Sequence, residues 1–169
     1  DLHRRLVARL GTSDIARYFN YDWAQHVGPK RRGEKPTFDL SRYYPEGSLP
    51  PGTTIDEAGV ARAPGSLYHF WRYISPLREA TSLAEIEAFP IEDVSDWATE
   101  HLSEEVGAIH AAGKVAVTWV GHMYETAWQI RGYEQFLMDL LERPAWAESL
   151  LNRLTANNLF RAVAAAKDG

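Results

Sequence analysis

The clearest pattern of apolar and polar positions lies in the second half of the chain. Trp97, Leu102, Val106 and Ile109 recur at helical spacing, and Ser95 or Asp96 stands where a helix cap belongs. Gly113 follows as a helix stop, since glycine accepts the positive φ of a helix C-terminus. Val115 to Val120 is apolar on both faces, the pattern of a buried parallel strand. Gly121 ends it, and Tyr124–Ile130 and Tyr133–Leu141 read as helical with a break at Gly132. Pro144 suits the first turn of a long helix through Trp146, Leu150, Leu151 and Leu154 towards Ala166. Ser95 to Gly132 is therefore predicted as a helix–strand–helix unit.

The first half is more broken. Asp1 to Leu10 reads as an amphipathic helix stopped by Gly11, and Ser13-Asp14 opens a further helical turn or two. From Asn20 to Pro51, Pro and Gly interrupt the pattern every few residues, which predicts a long irregular stretch. Thr53–Asp56 and Gly59–Arg62 resemble two short strands around a tight connection, and Tyr68–Ile74 is a further apolar run. Ser82 with Glu85 three residues on forms a capping-box pattern for a brief helix through Ala88. A buried parallel strand needs parallel neighbours, and few candidates are present. The expectation is an α/β chain cut from a larger protein and truncated at both ends.

Composition narrows the classes. The chain has 169 residues, 45% hydrophobic and 24% charged, enough to build a core. A net charge of -5 argues against a non-specific nucleic-acid binder, which needs a basic face. The dense basic run Lys30-Arg31-Arg32 reads either as a solvated loop or as a phosphate site. There is no cysteine, so disulfides and thiolate metal sites are excluded within the chain. No apolar stretch approaches the roughly 18 residues that span a membrane, and the expected location is cytoplasmic. Six Trp, eight Tyr and six Phe are read mainly as core or interface packing.

Candidate chemistry collects in two places. In parallel α/β folds ligands bind at the carboxyl ends of strands, which puts Gly121, His122, Tyr124 and Glu125 on a candidate rim. His122 could serve as an acid or base, or be a loop residue in solvent. Glu125 could pair with a cation, or favour a helix N-terminus through the macrodipole. Asp56 follows a short strand and could stabilise a developing cation from a cleft edge, or be a turn residue. His101 and His110 are too far apart on one helix to share a metal, and no metal site is expected here.

Several segments together resemble the uroporphyrinogen decarboxylase family. They are Pro50–Val60; Ser75-Pro76-Leu77 with Thr81 and Glu85; His110–Lys114; and Gly121 with Tyr124–Trp128 and Arg131–Glu134. Their order resembles the divergent branch of that superfamily that lies near the corrinoid-dependent methyltransferases. The resemblance implies a (β/α)8 TIM barrel of about twice this length, of which residues 1–169 would be an incomplete N-terminal half. It implies cofactor-free decarboxylation of a tetrapyrrole or related small-molecule substrate, with Asp56 catalytic and Gly121, His122, Tyr124, Glu125 and Trp128 at the substrate. Trp128 stands roughly where the decarboxylases carry a substrate-contacting Tyr, and their arginine-rich N-terminal signature is not visible. The methyltransferase relatives imply an alternative, with zinc and corrinoid bound by the intact protein and a corrinoid protein or second subunit as partner. A non-catalytic, barrel-derived binding protein is the third reading. The fragment alone is expected to be inactive, with no nucleic-acid or membrane partner.

Overall fold

A computed structural model describes residues 2–19, 24–67 and 70–168. Seven helices and five short strands are assigned among them, so the chain is α/β in class. The described residues form two compact units.

The first unit comprises 1–30, 98–119 and 161–169. Helix α1 (Leu2–Leu10) ends at Gly11, whose φ of 70° lets its N–H return to Val7 O at 3.0 Å. Helix α2 (Ile15–Tyr18) is capped by Asp14, which accepts from Arg17 N at 3.0 Å, as Ser13-Asp14 predicts. Strand β1 (Ala24–His26) pairs in parallel with β5 (Val115–Val117), in the register Ala24 to Val115. The sequence pattern gives no sign of β1, which sits inside the stretch read as irregular. Helix α4 (Leu102–Ala111) buries Leu102, Val106 and Ile109 and runs into β5 through Gly113, at φ 71°.

Two expectations are corrected here. The helix starts at Leu102 rather than Ser95, because the Ser95–Trp97 segment forms a turn and Ala98 bridges Lys30 instead. Strand β5 stops at Val117, and it is not buried on both faces: Val115 is 50% exposed and Trp119, beyond it, 64%. The apolar run marks a strand with one described neighbour, not the centre of a described sheet.

The second unit comprises 31–97 and 120–160. Strands β2 (Thr54–Ile55), β3 (Ala61–Pro64) and β4 (Trp71–Ile74) form an antiparallel meander, so both predicted strands and the apolar run are realised. Tyr68 and His69 lie outside the described residues. Helix α3 (Leu83–Glu87) has the expected cap: Ser82 Oγ accepts from Glu85 N at 3.3 Å. Glu85 reaches back one residue further than a capping box requires, to Thr81 N at 2.7 Å. Helices α5 (Met123–Arg131) and α6 (Tyr133–Glu142) are broken at Gly132, whose φ of 96° no L side chain adopts readily. Helix α7 (Pro144–Asp168) begins with Pro144 at its first position.

The core of this unit joins Val60, Leu77, Ile86, Phe89, Ile130, Phe136, Leu150 and Leu154. The long irregular stretch is held to it by Leu40, Tyr43 and Tyr44. Tyr43 packs edge-on against Phe89 at 5.1 Å, and the Tyr44 hydroxyl lies 2.8 and 3.0 Å from the Gly59 and Ile74 carbonyls while accepting from Ala61 N. Arg153 of α7 donates to the carbonyls of Ile86, Glu87 and Phe89, closing the C-terminus of α3. Asn157, one turn on, clamps Glu92 O and Val94 N through its two amide ends.

Candidate functional site

Asp56 closes the β2–β3 connection. Its Oδ1 accepts from Ala58 N and Val60 N, both at 3.0 Å, so the turn reading is realised. Gly59 takes φ 77° in that turn, and a Cβ there would come 3.0 Å from the Phe89 ring. The second oxygen serves a different purpose. Arg62 Nε donates to Oδ2 at 2.9 Å, and Nη2 lies 2.7 Å from the same atom. Both oxygens are thus engaged, with the Asp56 side chain 20% exposed and that of Arg62 39%.

Arg62 carries this charge to the aromatic residues. It stands opposite Tyr73 in the β3–β4 register, and its guanidinium lies over the Tyr73 ring, 5.5 Å from the centroid. Tyr73 meets Trp128 of α5 edge-to-face at 5.4 Å, and Trp128 meets Tyr133 in the same way at 5.6 Å. Asp56, Arg62, Tyr73, Trp128 and Tyr133 therefore form one continuous line of contacts. Two of the sequence candidates, Asp56 and Trp128, are brought together by two residues that sequence reasoning passed over. The alternation along the hairpin could have placed Arg62 beside Tyr73, had the register been known.

The remaining candidates gather at the start of α5. His122 precedes the helix in an extended conformation without a side-chain cap bond, and its carbonyl accepts from Thr126 N at 3.2 Å. Glu125 lies in the first turn, where a negative charge suits the helix dipole, and accepts from Gln129 Nε2 at 3.0 Å. Tyr124 packs edge-on against Phe136 at 5.7 Å and is 48% exposed. Gly121 has φ 99°, and a Cβ there would fall 2.6 Å from Asn158 Oδ1, so the backbone approaches α7 more closely than a side chain permits.

The basic run Lys30–Arg32 is consumed by internal partners. Lys30 pairs with Glu105 in the first unit. In the second, Arg31 Nε and Nη2 each donate to one oxygen of Glu92 at 2.7 Å, and its guanidinium stacks 4.9 Å from the Trp97 centroid. That hydrogen-bonded pair raises the Arg31 pKa and holds the Glu92 carboxyl below its ordinary range. Arg32 Nε donates to Asp96 O at 2.8 Å. Arg31, Arg32, Glu92, Asp96 and Trp97 border an open cleft of about 480 Å³ with Phe38, Ile91 and Asp93. Lys30 and Arg32 are exposed, as the solvated-loop reading expects, while Arg31 and Arg32 also tie their loop to the Glu92–Trp97 segment.

Among the described residues, no three His, Cys, Asp or Glu side chains converge as a metal-ligand set. No helix among them is long and apolar enough to cross a membrane. Compared with known proteins, the chain matches no family model, no characterised protein and no solved structure.

Proposed function

We propose that this chain is the N-terminal part of a (β/α)8-barrel enzyme related to uroporphyrinogen decarboxylase, acting on a tetrapyrrole or related acid by cofactor-free decarboxylation. The observation that carries the reading is the contact line from Asp56 through Arg62 and Tyr73 to Trp128. It joins the candidate catalytic carboxylate to the candidate substrate-lining aromatic across two distant segments.

The motifs behind the resemblance also meet in space. Leu77 of Ser75-Pro76-Leu77 donates its N–H to Ile130 O at 3.0 Å, and its carbonyl accepts from Arg131 of Arg131–Glu134. Segments that belong together in sequence order thus support one another physically.

The chemistry asked of such a site is modest. A proton added to a pyrrole ring carbon makes the ring an electron sink, and the C–C bonding pair flows into it as carbon dioxide leaves. The exocyclic methylene so formed takes a proton from solvent to become a methyl group, and the ring gives up the proton it had gained. A carboxylate beside that ring lowers the barrier by stabilising the transient cation. Asp56 supplies the charge in this reading, its Oδ2 shared between Arg62 and the substrate cation. The test is decarboxylation of uroporphyrinogen by the intact enzyme, comparing wild type with Asp56→Asn. A loss in kcat of at least tenfold with the fold retained is expected. Unchanged turnover would sink the Asp56 assignment, and a wild-type enzyme that releases no carbon dioxide from any porphyrinogen acid would sink the whole reading.

A further inference from the structure

We infer that Arg62 is an anion-recognition residue that receives the carboxylate of a ligand with a planar apolar body, Asp56 being its positioning residue. The inference deepens the reading above, because it concerns the same contact line, but the geometry of the guanidinium carries it.

An arginine offers a carboxylate two edges: the side formed by Nε and Nη2, and the end formed by Nη1 and Nη2. Asp56 occupies the side edge of Arg62, with Oδ2 at 2.9 Å from Nε and 2.7 Å from Nη2. Nη1 has no hydrogen-bond partner among the described residues, and the side chain is 39% exposed. The end edge is therefore open.

Arg31 makes the contrast plain. It too stacks on an aromatic ring and pairs with a carboxylate, but both Glu92 oxygens lie along its side edge and lock it in a symmetrical pair. Asp56 can spare only one oxygen, because Oδ1 is spent on the turn amides of Ala58 and Val60. Arg62 is consequently held in orientation by a single atom on one side and by the Tyr73 ring face on another. A planar group fixed in this way loses little freedom when a second carboxylate docks on it.

The surroundings select the rest of the ligand. Tyr73, Trp128 and Tyr133 continue from the guanidinium as an aromatic shelf, half-buried at Trp128 and 54% exposed at Tyr133. The Asp56–Arg62 pair is neutral, which suits a singly charged carboxylate better than a doubly charged phosphate ester.

The test is calorimetric titration of the intact protein with 2-naphthoate, 2-naphthol and naphthyl phosphate. Saturable naphthoate binding is expected, at least tenfold tighter than for naphthol or the phosphate. Arg62→Lys should weaken it at least tenfold, because an ammonium cannot present two parallel donors. Circular dichroism checks the fold of each variant. Equal naphthoate affinity in folded Arg62→Lys, or no saturable binding to wild type, would overturn the inference. Neither result depends on decarboxylation, so an inactive enzyme that still binds naphthoate through Arg62 would discard the reaction and keep the recognition residue.

Discussion

Arg131 and Asp139 face each other with water shut out: Nε donates to Oδ2 at 2.6 Å, and the two residues are 2% and 0% exposed. The guanidinium also reaches the carbonyls of Leu77 and Arg78, and Arg143 Nε stands 3.0 Å from Asp139 Oδ1, near enough for ion pairing but out of line for a hydrogen bond. Trp146 takes the faces of both arginines, at 5.4 and 4.6 Å. Removing one partner strands a charge in the interior. Asp139→Ala should therefore cost about 3–5 kcal/mol, read as a lowered urea midpoint. Replacing Arg131 and Asp139 together with Met and Leu should cost clearly less than the single change, and an equal loss would show that the charges are not what matters.

Tyr44 should be silent in an alkaline titration that ionises exposed tyrosines. Burial pushes its pKa upward, the nearby Asp56 adds to this, and the hydrogen bond from Ala61 N opposes it only in part. The unfolded chain ionises near pH 10 while the folded chain keeps this proton, so stability is full below pH 10 and falls as pH rises beyond it. Tyr44→Phe should flatten that alkaline fall, and at neutral pH should cost about 1–3 kcal/mol for the stranded Ala61 N–H and carbonyls. An unfolding profile identical to wild type from pH 9 to 11 would contradict the assignment.

Glu92 makes the opposite linkage. Its hydrogen-bonded pairing with Arg31 lowers its pKa, so the pair contributes above the unfolded value near 4.3 and is lost as pH falls through the folded one. Glu92→Gln should shrink the acid-induced loss of stability between about pH 5 and 3. Because the pair is partly open to solvent, the neutral-pH cost should stay near 1 kcal/mol. A steeper acid transition in the variant would reverse the sign and refute it.

Gly121→Ala meets two obstacles, a φ of 99° and Asn158 Oδ1 at 2.6 Å. The expected loss is about 1–3 kcal/mol in chemical denaturation. Asn158→Ser in the same chain should recover the steric part and leave the backbone part. Full recovery would mean that backbone strain contributes nothing at this turn.

What the sequence made legible were the elements with local causes. Asp14, Ser82, Gly113, Gly132 and Pro144 punctuate helices through interactions within a turn of themselves, and each does so in the structure. Strand β1 escaped because Ala24-Gln25-His26 has no apolar alternation, and its hydrogen bonds come from β5. The start of α4 was misplaced because Lys30 draws Ala98 into a bridge, a non-local partner that outweighs a local cap. The candidate site divided along the same line. Asp56 could be picked out by its position after a strand, whereas Arg62 and Tyr73 gain their meaning from cross-strand register and from a helix far along the chain.

The pairing of β1 with β5 also has a consequence in time. Ala24 finds Val115 only after the whole intervening stretch has emerged, and closing so long a loop delays the contact. The β2–β3–β4 meander needs only its neighbours. During synthesis β2, β3 and β4 should become protected from solvent exchange first, while β1 waits, unpaired, for a partner still inside the ribosome.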